Sequence, residues 1–367
     1  MNPYLDLSKN ILVSNFRRLA FPYKLTFCVT YWCNYKCKTC NIWQRKPENE
    51  LTLGEINEFF RKSNKFNWID FTGGEVWLRK DFIAIVEAAI SNCGNLVMVH
   101  FPTNGYLTDQ IVRGVKEIVQ MRPLKLTVTV STDGDEAVND YVRGIKGGWR
   151  RQLETYKRLH EVPGVEVFLG MTLSSLNADQ YDKAFAAAKA ECSWLKPTDF
   201  HMNVAHESGH YYGNAGTDVL KHGKSQVIEE MKRYKARRGL PLNPVSMLEH
   251  QYLKYAEAYL RTGRTPMRCH ALHSSCFIDS WGDVYPCGMY DAKLASLRDY
   301  GFDLEAVWNL PETTRLQEEI WQYKCPQCWT PCEAYQSILG NLFRRWDSCV
   351  AEPTESATGE VTTGRDK

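Results

Sequence analysis

Residues 24 to 40 read KLTFCVTYWCNYKCKTC. The first seven, KLTFCVT, are rich in β-branched and apolar residues and predict a buried strand. Three cysteines follow directly, Cys33, Cys37 and Cys40, separated by three and then two residues. Cysteines grouped in one loop of this kind point to metal ligation. The stretch therefore predicts the first strand of a sheet and a metal site at the end of that strand.

The same pattern recurs as far as about residue 238: a short stretch of β-branched and aromatic residues, then a segment with helical apolar spacing. This alternation predicts a βα repeat and an α/β fold with a parallel sheet, either doubly wound or curled toward a barrel. Such sheets bind ligands at the carboxyl ends of their strands. The predicted strands span residues 24 to 30, 67 to 72, 96 to 102, 125 to 131, 165 to 172 and 199 to 205, and helices are predicted at 53 to 65, 80 to 92 and 178 to 191, the last with Asn177 as N-cap.

The composition excludes several classes of partner. With 45 Lys and Arg against 43 Asp and Glu, the formal net charge is only +2, which gives no reason to expect a nucleic acid or an anionic membrane as partner. The N-terminus lacks a secretion signal and no apolar run is long enough to span a bilayer, so we expect a cytoplasmic protein. Because disulfides do not persist in a reducing cytosol, metal ligation explains the thirteen cysteines better.

The three-cysteine loop fits an iron-sulfur cluster better than a single ion. Structural zinc takes four ligands in a closed set, whereas three cysteines on a cubane leave one iron open for another ligand. A zinc loop with a distant fourth ligand, or simply buried thiols, is the alternative. Three other cysteines, Cys28, Cys93 and Cys192, lie on predicted strand or helix faces and are expected to be buried hydrophobes.

Four motifs follow successive predicted strands. After the cysteine loop come TGGE (72 to 75), TNG (103 to 105) and STDG (131 to 134), and the last is followed by DYVRG (140 to 144). In this order they resemble the radical S-adenosylmethionine (SAM) superfamily, over about residues 24 to 350. The resemblance implies that a 4Fe-4S cluster is held by Cys33, Cys37 and Cys40, and that SAM is bound by Gly73, Gly74, Glu75, Asn104, Ser131, Asp133 and Arg143.

Two positions depart from the family pattern. Thr39 stands before the third cysteine, where an aromatic residue is common, so Tyr35 or Trp43 is the expected neighbour of the adenine. Val76 stands where a proline commonly follows Gly-Gly-Glu. Neither position is a cluster ligand, so the departures concern the SAM pocket and not the expected chemistry.

Seven of the thirteen cysteines lie between residues 269 and 349. Their spacing around Gly282 and in CPQCWTPC (325 to 332) resembles the SPASM domain and its shortened twitch form, which carry auxiliary 4Fe-4S clusters. Seven cysteines cannot fully ligate two cubanes, so we expect one auxiliary cluster, most economically on Cys269, Cys287, Cys325 and Cys328, or two with one site open or differently ligated. Structural zinc is the alternative. The candidate ligands are Cys269, Cys276, Cys287, Cys325, Cys328, Cys332 and Cys349.

The resemblance implies a partial (β/α)6 TIM-like barrel with a smaller SPASM or twitch domain at its mouth. The expected divisions are an N-terminal segment (1 to 23), the radical SAM barrel (24 to 238), a helical bridge (239 to 264), the auxiliary cluster domain (265 to 350) and a disordered tail (351 to 367).

The activity that the resemblance implies is reductive cleavage of SAM to a 5'-deoxyadenosyl radical, which takes a hydrogen atom from a substrate. The expected partner is an electron donor, a reductase or a protein of the flavodoxin or ferredoxin type. Because 23 residues precede the first strand, too few for the leader-peptide-binding domain of many relatives, we expect a small-molecule substrate. A peptide substrate is the alternative.

HESGH, residues 206 to 210, matches the HExxH pattern of zinc metalloproteases. That pattern works on a regular helix, whereas here a predicted strand precedes it and a loop-forming sequence follows. A zinc hydrolase that uses His206, Glu207 and His210 is therefore a disfavoured alternative from another class. The candidates for a substrate-pocket wall, or equally for solvated loop residues, are His201, Asn203, His206 and Tyr211.

Overall fold

The computed structural model describes residues 2–122, 124–220, 223–241 and 244–344; the predicted tail at 351 to 367 and the candidate ligand Cys349 lie outside them. Within these residues the strands are β1 Lys24–Thr30, β2 Trp68–Gly73, β3 Met98–Thr103, β4 Lys125–Ser131, β5 Val165–Leu173, β6 Phe200–Val204, β7 Ser275–Ile278, β8 Asp283–Tyr285 and β9 Ala295–Ser296. The helices are α1 Pro3–Ser14, α2 Leu53–Lys62, α3 Phe82–Asn92, α4 Thr108–Met121, α5 Glu136–Arg143, α6 Gly148–His160, α7 Tyr181–Glu191, α8 Lys224–Arg238, α9 Pro244–Thr262, α10 Leu304–Trp308, α11 Pro311–Trp321 and α12 Pro331–Leu339. In the described part of the chain, no helix has the length and apolar character needed to cross a bilayer.

The first six strands form the predicted barrel. They are parallel, each beside its predecessor, in a sheet whose order is β6-β5-β4-β3-β2-β1-β7-β8-β9. Every connection between them carries at least one helix, as parallel neighbours require. The predicted α/β class and partial (β/α)6 barrel are confirmed, and all six predicted strands form within two residues of their expected ends.

Aromatic side chains join the sheet to the helices outside it. On β1, Phe27 packs 6.0 Å from Phe59 of α2, and on β2, Phe71 packs 5.9 Å from Phe82 of α3, measured between ring centroids. Successive residues of a strand point to opposite faces, so Thr26 and its alternate neighbours line the inner face of the barrel. The carboxyl ends of the strands meet at one rim, where the predicted motifs lie.

The C-terminal region extends the barrel sheet. Strand β7 pairs in parallel with β1, with Lys24 opposite Ser275 and Phe27 opposite Ile278, and β8 and β9 add antiparallel strands beyond it. The exposed edge of β1 is thereby covered, which removes an open row of backbone donors and acceptors. The region expected to form a separate small domain therefore shares one sheet with the barrel.

The predicted cap of α7 is wrong. Gln180 occupies its N-cap position, and Asn177 is instead buried in the preceding loop. There the Asn177 side chain accepts a hydrogen bond from Ser174 N–H (2.8 Å) and donates one to the carbonyl of Asp133 (3.0 Å). Asparagine side chains satisfy backbone groups in tight turns as well as at helix caps, so the local sequence does not distinguish the two.

A buried ion pair ties the barrel to the C-terminal region. Lys24 is fully buried, and its Nζ lies 2.9 Å from Oδ2 of Asp70 and donates a hydrogen bond to the carbonyl of Cys332 on α12. Burial alone would lower the pKa of Lys24, but Asp70, Cys332 and Glu333 together raise it. Lys24 therefore keeps its charge because these neighbours surround it.

We predict that Asp70→Asn strongly destabilises the protein, because it leaves the buried Lys24 ammonium without its ion-pair partner. The expected loss in the free energy of unfolding is about 3–5 kcal/mol, measured by urea unfolding. The double variant Lys24→Met, Asp70→Leu removes both charges and should lose much less. A cost for Asp70→Asn no larger than that of the double variant would contradict this role of the pair.

Candidate active site

The three cysteines after β1 lie in a loop held by backbone hydrogen bonds. Cys33, Cys37 and Cys40 are half-buried free thiols. The N–H of Cys40 donates to the carbonyl of Cys37 (3.3 Å), and the N–H of Lys38 donates to the carbonyl of Val142 on α5 (2.8 Å). The loop is therefore pinned both internally and to the helix after β4.

A glycine pair at the end of β2 lies directly against this loop. Gly74 N–H donates to the carbonyl of Thr30, and Glu75 N–H to the carbonyl of Trp32, both at 2.8 Å. A Cβ on Gly74 would stand 2.1 Å from the Trp32 carbonyl oxygen, and Gly73 has φ of 140°. Only glycine permits both the close approach and this backbone conformation. The pair thereby places Glu75 beside the cysteine loop.

Glu75 is a buried carboxylate that forms no ion pair within the described residues. Its side chain is 2% exposed and accepts hydrogen bonds from Thr103 Oγ1 (2.8 Å) and Asn104 N–H (2.6 Å). Burial raises the pKa of Glu75 to about 7, against the lowering effect of these donors. A buried carboxyl of this kind favours a cationic ligand, which would restore its ordinary ionisation.

Asn104 connects the turn after β3 to the cysteine loop. Its Nδ2 donates to Oδ1 of Asn34 (2.7 Å), a residue between Cys33 and Cys37. Neither Asn34 nor the hydroxyl of Thr103 was predicted as part of the site. Asn34 lies inside the cysteine loop, and Thr103 lies in the motif after the third predicted strand. These positions in the sequence are the signals that indicate both residues as part of the site.

Arg143 and Asp133 form an ion pair at the end of β4. The guanidinium Nε lies 2.7 Å from Oδ2 of Asp133, whose Oδ1 accepts a hydrogen bond from Thr172 N–H (2.9 Å). Arg143 also lies beside Cys37: burial raises the pKa of that thiol, and Arg143 opposes the shift. Ser131 is half-buried at the last residue of β4. The structure thus brings Arg143 to both the Asp133 carboxylate and the cysteine loop.

A second group of cysteines converges in the C-terminal region. Burial raises the pKa of the Cys269 thiol, and nearby Glu333, Cys287 and Cys325 raise it further. Burial likewise raises the pKa of Cys328, with further contributions from Cys269 and Cys325. These mutual effects place Cys269, Cys287, Cys325 and Cys328 together, the set that the spacing favours for one auxiliary cluster.

The other candidate ligands lie elsewhere. Cys276 is buried on β7, opposite Leu25 of β1. The thiol of Cys332 lies near Lys24 and Asp70: burial raises the pKa of this thiol to about 11, Lys24 opposes the shift and Asp70 adds to it. Its surroundings are thus the barrel ion pair. A role for these thiols as ligands stays a prediction. Buried positions for the three expected hydrophobic cysteines are confirmed: Cys28, Cys93 and Cys192.

The HESGH motif forms a loop and not a helix. Its histidine rings bond backbone groups: His206 Nδ1 bonds the carbonyl of Val204 (2.7 Å), and His210 Nε2 the carbonyl of Cys287 (3.1 Å). The Glu207 side chain accepts a hydrogen bond from Gly216 N–H instead. The geometry that a zinc hydrolase needs is absent from this loop. Since His206 is 8% exposed, it is not a solvated loop residue either.

In the described part of the chain, no three His, Cys, Asp or Glu side chains are grouped tightly enough for a single metal ion. Burial raises the pKa of the Cys33 and Cys40 thiols to about 12, so metal ligation must displace their protons.

Comparison with known proteins identifies the family. Residues 27–197 match the family model of the radical SAM superfamily, and residues 269–332 match that of the SPASM iron-sulfur cluster-binding domain. The chain belongs to the radical SAM superfamily. It is accordingly an enzyme that uses SAM and 4Fe-4S clusters.

Several radical SAM relatives match over most of the chain. The mycofactocin maturase MftC of Mycolicibacterium smegmatis is 28% identical over 335 residues, which cover 86% of this chain and 78% of that protein. The antilisterial bacteriocin subtilosin biosynthesis protein AlbA of Bacillus subtilis is 22% identical over 325 residues, 86% of this chain and 65% of that protein. The crystal structure of Streptococcus suis SuiB bound to precursor peptide SuiA has a TM-score of 0.57 at 19% identity, covering 86% of this chain and 70% of that one.

The residues at the rim fit the groups that the radical SAM family requires. Cys33, Cys37 and Cys40 would supply three thiolates to a 4Fe-4S cluster, whose fourth iron would be open to SAM. The Glu75 carboxyl offers a partner for the SAM ammonium. Arg143 supplies positive charge beside the cysteine loop, where it can neutralise thiolate or the SAM carboxylate.

We predict that SAM affinity of the reconstituted enzyme weakens as the pH falls below about 7. Glu75 is then protonated and cannot pair with the SAM ammonium, so affinity should fall about tenfold per pH unit well below the pKa. Glu75→Gln should bind SAM more weakly by roughly 1.5 to 3 kcal/mol at high pH and lose this pH dependence. The measurement is equilibrium dialysis with SAM, and equal affinity and pH profile in both proteins would contradict the role of Glu75.

We predict that the variant in which Cys33, Cys37 and Cys40 are replaced by alanine still binds about four irons after anaerobic reconstitution, held by the group of four C-terminal cysteines. Adding Cys325→Ala and Cys328→Ala should remove this iron, whereas Cys332→Ser should not, since that thiol lies beside Lys24. Iron and zinc analysis measures each outcome. Zinc without iron, or iron lost with Cys332→Ser, would show that this ligand set is wrong.

Proposed function

We propose that this radical SAM enzyme modifies a peptide by abstracting a hydrogen atom from it. The observation that carries the proposal is the match to proteins named for mycofactocin maturation and for bacteriocin biosynthesis, and to an enzyme solved with its precursor peptide. Each match covers 86% of this chain. These relatives favour the peptide alternative over the expected small-molecule substrate.

The inner face of the barrel supports this proposal. It carries polar side chains below the rim, where His100 Nε2 lies 3.0 Å from Thr129 Oγ1. At the rim, Tyr211 Oη, from the loop after β6, lies 2.7 Å from Thr72 Oγ1. Of the four predicted pocket residues, His201 and Asn203 are two positions apart on β6 and therefore lie on the same face of that strand. Tyr211 contacts Thr72 near the glycine pair. His206 bonds the C-terminal region instead.

The residues at the rim have distinct roles in this proposal. When bound, the cluster and SAM supply the 5'-deoxyadenosyl radical that takes the hydrogen atom. Glu75 holds the SAM ammonium, and Asn104 keeps Glu75 and the cysteine loop together through its two hydrogen bonds. Arg143, fixed by Asp133, keeps a positive charge beside Cys37.

The proposal predicts that the enzyme, given SAM and an external electron donor of the flavodoxin or ferredoxin type, modifies a short peptide encoded near its gene. The readouts are mass spectrometry of the peptide and 5'-deoxyadenosine formed with it. The variant without Cys33, Cys37 and Cys40 is the control and should leave the peptide unchanged. If the enzyme forms 5'-deoxyadenosine but converts a small metabolite and leaves the peptide intact, the peptide assignment is wrong and the small-molecule reading is right.

A further inference from the structure

Helix α1 presents apolar side chains to solvent. Leu5, Leu12 and Phe16 are each half or more exposed. Positions 5 and 12 are two helical turns apart, and Phe16 follows about one turn later because Asn15 keeps the right-handed helical conformation. The three side chains therefore form one stripe, roughly 16 Å long. Single exposed hydrophobic residues are ordinary on a protein surface, whereas a continuous stripe of them marks a contact surface.

The residues after α12 extend this stripe. The Phe343 ring stacks on that of Phe16 with the centroids 5.6 Å apart, and the neighbouring Leu342 is also more than half exposed. The buried side chain of Asn15 fixes the arrangement, since it donates to the carbonyl of Leu339 (2.9 Å) and accepts from the N–H of Leu342 (2.8 Å). We name this apolar area the α1 surface; it consists of Leu5, Leu12, Phe16, Leu342 and Phe343.

The other side of α1 is attached to the barrel by polar side chains. Oδ2 of Asp6 accepts hydrogen bonds from Asn67 (3.0 Å) and Asn95 (3.1 Å), and Asn10 Nδ2 donates to Oδ1 of Asn67 (2.8 Å). Because Asn67 and Asn95 precede β2 and β3, α1 lies at the amino ends of these strands, opposite the rim that carries the cysteine loop. A surface helix ordinarily turns its apolar side inward and its polar side to solvent. The polar anchors inside and the apolar stripe outside therefore indicate that the outer side of α1 is covered in a complex.

Positive charges accompany the α1 surface. Lys9 lies one turn from Leu5 on the outer side of α1, and Arg17 and Arg344 directly follow the two stacked phenylalanines. All three cations are exposed, and none forms an ion pair within the described residues. The acidic residue of α1, Asp6, is on the inner side. The surface is thus complementary to a partner that carries acidic side chains together with apolar ones.

The position of Lys9 distinguishes between the kinds of partner. In a two-fold pairing with a second copy of the chain, the stripes would bring identical cations against each other. Helices that bind a membrane surface carry their cations on the polar side, whereas Lys9 lies within the apolar stripe. On an amphipathic helix, a carboxylate can pair with Lys9 while apolar side chains cover Leu5 and Leu12.

We propose that the α1 surface docks an acidic amphipathic helix of a partner protein. Apolar side chains of the partner cover the stripe, and its carboxylates pair with Lys9, Arg17 and Arg344. The docked partner lies at the end of the barrel opposite the SAM site, so it leaves the rim free. The proposal concerns a surface away from the site and does not depend on which substrate the enzyme takes.

The first test uses two synthetic helical peptides with leucines at the same positions, one with glutamates and one with lysines beside them. The full-length enzyme should bind the acidic peptide about tenfold more tightly than the basic one, measured by fluorescence anisotropy. Leu12→Ser should weaken binding of the acidic peptide about tenfold. Equal affinity for the two peptides, or no binding of the acidic one, would overturn the proposal.

The matched control for Leu12→Ser is Leu240→Ser. Leu240 follows α8 and is also an exposed leucine, but it lies outside the α1 surface. Its substitution should leave the affinity for the acidic peptide unchanged. An equal loss in both variants would mean that any exposed leucine contributes to binding, and would refute a specific surface on α1.

Charge reversal tests the role of the cations. The double variant Lys9→Glu, Arg17→Glu should bind the basic peptide more tightly than the acidic one, because the carboxylates then face lysines. A variant that merely fails to fold would bind neither peptide, so the reversed preference is specific to the docking surface. A preference for the acidic peptide that survives the reversal would overturn the proposed pairing.

Three comparisons separate the acidic helix from other occupants. The oligomeric state, measured by sedimentation equilibrium, should be the same in the wild type and in Leu12→Ser; a dimer that this substitution dissociates would show a second copy on the surface. Binding to phosphatidylglycerol vesicles should likewise be the same in both, since a loss in Leu12→Ser would show a membrane contact. Removal of residues 345–367 should leave the affinity for the acidic peptide unchanged, whereas binding that appears only after the removal would show that the chain covers its own surface. Each of these contrary results would overturn the proposal.

Discussion

The site depends on one backbone contact, the approach of the Gly73–Gly74 pair to the cysteine loop after β1. Two hydrogen bonds of 2.8 Å join Gly74 and Glu75 to the carbonyls of Thr30 and Trp32, and no larger residue fits at Gly74. The neighbouring parallel strands β1 and β2 bring these segments to the same rim. The position of Glu75, the proposed partner of SAM, and its hydrogen bond from Asn104 depend on this contact.

Electrostatics at the rim are arranged for ligands that carry charge. Glu75 has a raised pKa because it is buried, and the thiols of Cys33 and Cys40 have raised pKa values for the same reason. A cationic ammonium and iron each supply the positive charge that these groups need. Binding of such groups would release protons from Glu75 and from these thiols.

The C-terminal region serves the barrel in two ways. Strand β7 completes the sheet beside β1, and Lys24 reaches from β1 to the carbonyl of Cys332. The loop with the HESGH motif joins the same region at the rim, where a histidine accepts the Trp329 amide and an asparagine bonds the loop of Cys40. A motif that in another context would bind zinc thus serves here as a connector between two cysteine groups.

Much of this protein could be predicted from the sequence because the signals are local. The alternation of strands and helices, the spacing of Cys33, Cys37 and Cys40, and the Gly-Gly-Glu turn each lie within a few residues, and together they determined the barrel, its rim and the SAM chemistry. Contacts between distant segments were decided only by the tertiary structure. It alone brings Cys269 and Cys287 to Cys325 and Cys328, adds β7 to the edge of β1, and turns Asn177 and the HESGH histidines toward backbone groups. The physical reason is that a polar side chain bonds whichever backbone group folding places beside it, and its own neighbours in the sequence do not specify that group.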